Sequence, residues 1–257
     1  MKIVSLIENT SSAEGIEAEH GLSLYIEANG RRLLFDMGQS DAFERNASLL
    51  GVDLSEVDTA ILSHGHYDHG GGLERFCELN DKADVYMSNH AFESHYNGVG
   101  KYIGLDGSFP HTDRIRFVRE TVDLGNGLTV HTDVDCGKRP IENGGMTYSD
   151  THGSYPEDFR HEIYLMVREN GKRVLFSGCS HRGVIAIAEH FTPDVLVGGF
   201  HYSKLPTDEA LTEKAKILDS LPCKYYTCHC TGTEQYGFMK KYIKKLGYLS
   251  AGQVLVI

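Results

Sequence analysis

The chain has 257 residues, enough for one large domain or two small ones and too many for a disulfide-stapled mini-protein. Hydrophobic residues at 40% and charged residues at 24% exclude a disordered chain. No apolar run approaches the roughly 18 residues of a membrane span, and a net charge of −11 argues against a nucleic-acid backbone as main partner.

The opening run Met1 to Ile7 meets Glu8 too soon for a signal peptide, so the cytoplasm is the expected compartment. The cysteines, Cys77, Cys136, Cys179, Cys223, Cys228 and Cys230, form no C-x-x-C pair and read as reduced thiols. Leu22 to Ala28 reads as a strand, Asn29-Gly30 as a tight hairpin turn, and Arg31 to Asp36 as the partner strand. A short amphipathic helix spans Asp41 to Leu50 and ends at Gly51. Val57 to Leu62 is a buried strand, Gly72 to Asn80 a helix, and Ala83 to Met87 a strand. Residues 90 to 113 are rich in Gly, Asn, Ser and His and read as loop with one short helix. Strands follow at 115–118, 122–124 and 128–130, the last two joined through Gly125-Asn126-Gly127. Residues 133 to 158 form a long polar, loop-rich insertion, a length that in a compact domain usually serves function.

The second half echoes the first. Asn29-Gly30-Arg31-Arg32-Leu33-Leu34-Phe35 matches Asn170-Gly171-Lys172-Arg173-Val174-Leu175-Phe176. Asp58 to His64 is matched, loosely, by Asp194 to His201. A helix over 208–220, a strand over 224–227, a helix over 234–246 and a strand over 254–257 complete the chain. The reading is one domain over 1–257, built of duplicated halves of about 1–130 and 160–257. It predicts two mixed β/α halves packed sheet to sheet, helices outside, with strand ends converging on one edge.

Fourteen histidines against no tryptophan stand out, because histidine is the commonest metal ligand and the acid–base of neutral pH. Ser63-His64-Gly65-His66-Tyr67-Asp68-His69-Gly70-Gly71-Gly72 puts three histidines and an aspartate directly after a buried strand. On extended backbone His64 and His66 project to one side and can share a metal. Asp68 and His69, beyond a turn, can reach a second. Such donors suit zinc-like ions. His181, His201 and His229 also end apolar strands, where ligands of open α/β sheets gather. His181 and His229 are read as ligands; His201 is left open between ligand and structural residue. His20 is a turn residue or supports a ligand from behind. His161 opens the strand of the 160s. His90, His95, His111, His131, His152 and His190 have no supporting pattern and read mostly as solvated.

The run His64-x-His66-x-Asp68-His69, with Leu33-Leu34-Phe35-Asp36-Met37-Gly38 before it, resembles the metallo-β-lactamase superfamily. The segments Val174 to His181, Val197 to His201 and Cys228 to Gly232, with Glu19 to Ser23, are similar to its dihydropterin phosphate synthase-like branch. The resemblance implies an αββα sandwich of two mixed sheets with outer helices. It also implies two divalent ions, zinc first, with manganese or iron as alternatives. By resemblance His64, His66 and a third histidine hold the first ion. Asp68, His69 and His229 hold the second, and Asp36 orients a ligand imidazole. Many superfamily hydrolases carry an aspartate where this chain has Cys179. Either Cys179 ligates as thiolate or His181 takes over; His181 is preferred. His66 stands where the oxygen-reducing diiron branch has a glutamate, so redox chemistry is disfavoured.

The expected activity is hydrolysis by a hydroxide bridging two metals, with Asp68 and His201 as catalytic residues. The substrate is expected to be a small molecule, phosphate-bearing, with no nucleic acid and no membrane as partner. Arg182 and Gly183, where a helix begins, and Lys204 are the candidate anion-binding residues; Lys138 and Arg139 have weaker claims. The rivals are a dihydropterin-type transferase that displaces pyrophosphate with an arylamine, and a non-catalytic metal-binding module.

Overall fold

The computed structural model describes residues 1–108, 113–134, 139, 141–142 and 144–257; His111, Cys136 and Lys138 lie outside the described residues. In chain order the first strands are β1 (Lys2–Ile7), β2 (Ser23–Ala28), β3 (Arg31–Phe35), β4 (Thr59–Ile61), β5 (Asp84–Ser88) and β6 (Ser94–Tyr96). Next come β7 (Ile115–Val118), β8 (Val122–Gly125), β9 (Leu128–His131), β10 (Thr147–Asp150), β11 (Gly153–Pro156) and β12 (Tyr164–Glu169). The last are β13 (Lys172–Ser177), β14 (Val195–Gly198), β15 (Lys224–Thr227), β16 (Leu246–Tyr248) and β17 (Val254–Val256). The helices are α1 (Ala42–Leu49), α2 (Tyr67–Gly70), α3 (Leu73–Leu79), α4 (Val184–Phe191), α5 (Glu209–Ser220) and α6 (Thr233–Met239).

Two large mixed sheets run β17-β1-β2-β3-β4-β5-β7 and β16-β15-β14-β13-β12-β9-β8. Their central strands are apolar on both faces, as strands covered on both sides must be. Leu33 and Phe35 point inward to meet Val174 and Phe176 of the other sheet. Leu34, between them, points outward under Phe43 of α1 and Phe76 of α3. Leu175 likewise points outward, under Ile187 of α4 and Leu211 of α5. Period-2 alternation along two hairpins thus builds three apolar layers and four structural ones, an αββα sandwich.

The two Asn-Gly turns share a conformation, with φ of 50° and 75° at Asn29 and Gly30 and 51° and 76° at Asn170 and Gly171. Both central residues of a tight hairpin turn need positive φ, which Asn and Gly tolerate best. Arg32 N–H donates to Asp58 and Arg173 N–H to Asp194, each at 2.7 Å. Phe35 and Phe176 meet across the sandwich at 5.9 Å between ring centroids. Not everything follows the echo: hairpin β8–β9 pairs into the second sheet, and β17 returns to pair with β1 in the first.

Three local expectations are corrected. Residues 94–96 form strand β6, with no α-helix among the described residues between α3 and α4. Part of the polar stretch 133–158 is the hairpin β10–β11, which joins β6 in a third, small sheet. Its strands are largely solvated, so they carry no apolar alternation; Tyr148 stacked on Tyr155 at 5.3 Å and Arg160 over Tyr148 hold it instead. The last helix stops at Met239, because Leu246 is taken into the sheet beside Tyr225.

Candidate metal centre

The strand ends of β3, β4, β13, β14 and β15 converge on one edge, each followed by a tight turn. Four of the turn residues, Asp36, Ser180, His201 and His229, hold left-handed φ of 61°, 54°, 55° and 48°. Such backbone costs about 1–3 kcal/mol per residue and persists where surroundings fix it. Several glycines here are required by space, Gly65 and Gly178 among them. A Cβ on Gly65 would lie 2.0 Å from the Ala91 carbonyl oxygen, and one on Gly178 would lie 2.1 Å from Ser63 Oγ.

Hydrogen bonds decide which ring nitrogens face the centre. His69 Nδ1 lies 2.7 Å from Asp36 Oδ2, a carboxylate that can only accept, so Nδ1 carries the proton. Ser63 Oγ–H donates to Asp36 and therefore accepts from His64 Nδ1 at 2.8 Å. His229 Nδ1 donates to Asn9 Oδ1 at 2.7 Å, an oxygen that also accepts from Gly21 N–H. His64, His69 and His229 are thereby left with bare Nε2 atoms directed into one buried space.

The donors converge there. His69 Nε2 lies 3.2 Å from His229 Nε2 and 3.2 Å from Cys179 Sγ, and His229 Nε2 lies 3.3 Å from Asp68 Oδ2. Bonds of about 2.1 Å in a tetrahedron put neighbouring donor atoms about 3.4 Å apart. The rings of His64, His66 and His181 stand 4.6 to 5.0 Å apart, centroid to centroid. Their Nε2 atoms are buried without a hydrogen-bond partner, as is His181 Nδ1. Cys179 belongs to both sets, within ligand distance of His64 and His181 and of His69 and His229. The residues present therefore fit metal ions.

Electrostatics agree. Burial, reinforced by the neighbouring imidazoles, holds His64 and His181 well below the usual histidine range. His66 is pushed down to about 3, mainly by burial. Burial also lowers His229 and raises the Cys179 thiol, beside Cys230. Burial opposes the charge of His69, but Asp36 and Asp68 outweigh it and raise that group. Burial likewise works against the Asp68 carboxylate, which His69, His20 and His229 nonetheless hold well below its usual range.

All six predicted ligands, His64, His66, Asp68, His69, His181 and His229, meet here, with Cys179 among them. His20, half exposed, donates toward Asp68 Oδ2 at 3.1 Å. His201 stands outside the ligand clusters, its ring 4.3 Å from that of His181. A cavity of about 180 Å³ opens over the centre, with Asn97 and Met146 of the small-sheet region in its wall and Lys204 at its rim. Arg182 and Gly183 line a different cavity of about 130 Å³ behind His181 and His201. The predicted anion-binding trio is thus divided between two cavities. Arg182 Nε is tied to the Phe159 carbonyl at 3.2 Å.

Five buried residues around the centre, His95, Glu157, His161, Glu8 and Glu162, were given no site role from the sequence. His95, expected to be solvated, is buried against His161, the rings stacked at 3.9 Å, and bonds to Glu157 at 2.8 Å. His161 comes near His66, but its Nδ1 accepts the Gly65 N–H at 2.9 Å. The proton of neutral His161 therefore sits on Nε2, the reverse of His64, His69 and His229. Glu8 and Glu162 are buried carboxylates bonded to the turns of His229 and His181. An acidic residue abutting an apolar strand, as in Ile7-Glu8 and Glu162-Ile163, is the only local signal for either.

Comparison with known proteins fits this geometry. The family model described as "Metallo-beta-lactamase superfamily" matches residues 16–221. A Methanocaldococcus jannaschii protein is 26% identical, covering 99% of this chain and 96% of its own. It is named 7,8-dihydropterin-6-methyl-4-(beta-D-ribofuranosyl)-aminobenzene-5'-phosphate synthase. The crystal structure of Tm1679, described as a metal-dependent hydrolase of the beta-lactamase superfamily, superposes with a TM-score of 0.87 at 30% identity, over 100% of this chain and 99% of that one. Zinc-bound PqqB of Methylobacterium extorquens shares the fold alone, with a TM-score of 0.58 at 13% identity over the whole of both chains.

Proposed function

The chain belongs to the metallo-β-lactamase superfamily, whose fold binds metal ions, and from that premise we propose that it is a dinuclear metal-dependent hydrolase of a phosphate-bearing small molecule. The observation that carries the metal reading is the 3.2 Å approach of His69 Nε2 and His229 Nε2, whose other ring nitrogens both face acceptors. Two such lone pairs repel unless a cation lies between them; in metal-free protein a proton on His69, raised by Asp36 and Asp68 against its burial, takes the place a metal ion would fill. We assign His64, His66 and His181 to one ion, Asp68, His69 and His229 to the other, and Cys179 to both. Imidazole, carboxylate and thiolate together favour zinc, with manganese or iron as alternatives. Two divalent ions there would supply Lewis acidity and a water acidified toward neutrality.

The chain's own residues do the rest. Asp68 is both ligand and anchor for His20. His201, lowered to about 4 chiefly by burial, is neutral at pH 7 and stands on the pocket wall, where its ring can hydrogen-bond a substrate. Lys204 at the rim meets the anionic end of a substrate. For a longer substrate, Arg182 and the amide of Gly183 offer a second anionic contact in the adjoining cavity. The phosphate preference is supported by the name of the methanogen relative, a synthase of an aminobenzene phosphate joined to a dihydropterin; that name also favours a second reading as a synthase, for which we propose transfer to an arylamine with loss of pyrophosphate.

One assay separates the readings. The zinc-loaded protein is offered phosphomonoesters, phosphodiesters and a dihydropterin diphosphate, with and without an arylamine. Hydrolysis without amine supports the hydrolase. Pyrophosphate release only with amine overturns it in favour of the transferase. No turnover across the panel leaves a metal-binding module. Among the described residues no helix is long and apolar enough to cross a membrane.

A further inference from the structure

Each of the three turns that carry ligand histidines is held from below by one buried carboxylate. Asp36 Oδ1 accepts the N–H of Ser63, next to His64, at 2.7 Å. Glu8 Oε1 accepts the N–H of His229 itself at 2.6 Å, and the Tyr248 hydroxyl at 2.7 Å. Glu162 Oε1 accepts the N–H of His181 at 2.8 Å, while its Oε2 accepts the Arg182 N–H and the Tyr164 hydroxyl. All three carboxylates are fully buried.

Two features set Glu8 and Glu162 apart from ordinary buried polar groups. They grip strained backbone: His229 has φ 48°, and Ser180, just before the His181 amide, has φ 54°. A left-handed turn opens unless its amide is held. They also add negative charge where it is expensive to bury. With Asp36 and Asp68 they make four buried carboxylates around the centre. Asp36 and Asp68 pair only with histidines among the described ion pairs, and burial raises the Glu162 carboxyl against the Tyr164 hydroxyl, the two amides and the Arg182 charge that favour its ionised form.

We propose that Glu8 and Glu162 are positioning residues that tune the two metal sites separately, Glu8 the ion held with His229 and Glu162 the ion held with His181. The physical basis is that each carboxylate touches one ligand turn and not the other. Loss of its charge and its amide contact lets a single histidine swing away from its ion and removes the field that attracts that ion. This rests on the two-ion reading above.

The test is a titration of metal-free protein with cobalt chloride, competed against a chelator, to give two stepwise affinities. His229→Ala and His181→Ala identify which step belongs to which site. Glu8→Gln should weaken the His229 step, and Glu162→Gln the His181 step, by about 10- to 100-fold, the usual effect of losing a group that supports a ligand. The other step should stay within about twofold in each variant. Loosening of the fold as a whole would move both steps together, so equal weakening of both, or no weakening of either, overturns the proposal. Should a glutamine variant not fold, Tyr248→Phe and Tyr164→Phe each remove one bond to the same carboxylate. Each should shift only its own step, severalfold; no shift, or a shift in both steps, overturns the proposal. Wild-type protein that takes up fewer than two equivalents defeats the two-ion reading and this inference with it. Two equivalents in wild type with unselective variants defeats this inference alone.

Discussion

Replacing Asp36 by asparagine keeps its volume and reverses one half of its hydrogen bonding. Asp36 accepts from Ser63 N–H, Ser63 Oγ–H and His69 Nδ1–H, each at 2.7 Å, the last two on the same oxygen. An asparagine that keeps its oxygen toward the Ser63 amide must point its NH2 at Ser63 Oγ and His69 Nδ1. The serine hydroxyl can turn to accept. His69 can accept only by moving its own proton to Nε2, which then points at His229 and Cys179. Two charge-assisted bonds, about 1.5–3 kcal/mol each, give way to two neutral ones of about 0.5–1.5 kcal/mol each. The metal-free variant should therefore lose about 2–3 kcal/mol in urea unfolding. Zinc must in addition displace the misplaced proton, so its affinity at the His69 site should fall about 10- to 100-fold, or about 1.4–2.7 kcal/mol. Chelator competition reads the second number independently of the first. Zinc affinity within twofold of wild type would refute the claim that Asp36 sets the His69 tautomer.

Other outcomes follow from the same wiring. Asp68→Ala should lose about one metal equivalent by elemental analysis and most of any activity; unchanged metal content removes Asp68 from the ligand set. Cys179→Ser should abolish the sulfur-to-metal charge-transfer absorption of the cobalt-loaded protein, whereas a band surviving the substitution assigns the thiolate elsewhere. Phe176→Ala empties a fully buried site between the sheets and should cost about 3–5 kcal/mol in urea unfolding; under 1 kcal/mol would show that the sandwich collapses to fill the space. Metal-free protein should lose stability in acid. His64, His66 and His181 have lowered native values, so the unfolded chain binds more protons below pH 6.5. Their contribution is complete above about pH 6.5 and is lost as pH falls from there toward about 3, the value for His66. Each histidine held neutral costs about 1.4 kcal/mol per pH unit in that window. His69, with a raised native value, works in the opposite sense, its contribution fading as pH rises through that value. His131, His161, His201 and His229 are lowered as well, so seven against one predicts urea midpoints that fall from pH 6.5 to 5, and flat midpoints would contradict the neutral cluster.

The fold was legible where burial writes a period into the chain. Leu33, Leu34 and Phe35, and Val174, Leu175 and Phe176, face alternate covered layers, and both turns carry the Asn-Gly that positive φ demands. It was illegible where burial writes nothing. The strands β10 and β11 are largely in water, so Thr147 to Pro156 reads as polar loop, although its register is fixed by paired backbone and stacked tyrosines. Leu246 fits the helical spacing of Met239 and Ile243, but a sheet strand 21 residues earlier claims its backbone (Tyr225↔Leu246). The pairing of β17 with β1 joins the two ends of the chain, and no local pattern announces it.

The centre divides in the same way, between residues that touch the central space and residues that hold the first group in place. The proposed ligand histidines lie in segments that follow apolar strands, and such segments can be recognised: His64, His66, His181 and His229 in the turns, and His69 in the short helix α2 just beyond. What decides that the lone pair is on Nε2 is a partner remote in sequence: Asp36 for His69, Asn9 for His229. His161 shows that strand-end placement alone is insufficient. It borders His66, yet a backbone amide occupies its Nδ1 and sends its proton toward the side a ligand would need bare. Counting histidines therefore over-selects, and position narrows the set. The tautomer makes the final choice, and it is fixed by folding because Asn9 lies 220 residues from the imidazole it orients and Asp36 lies 33 from its own.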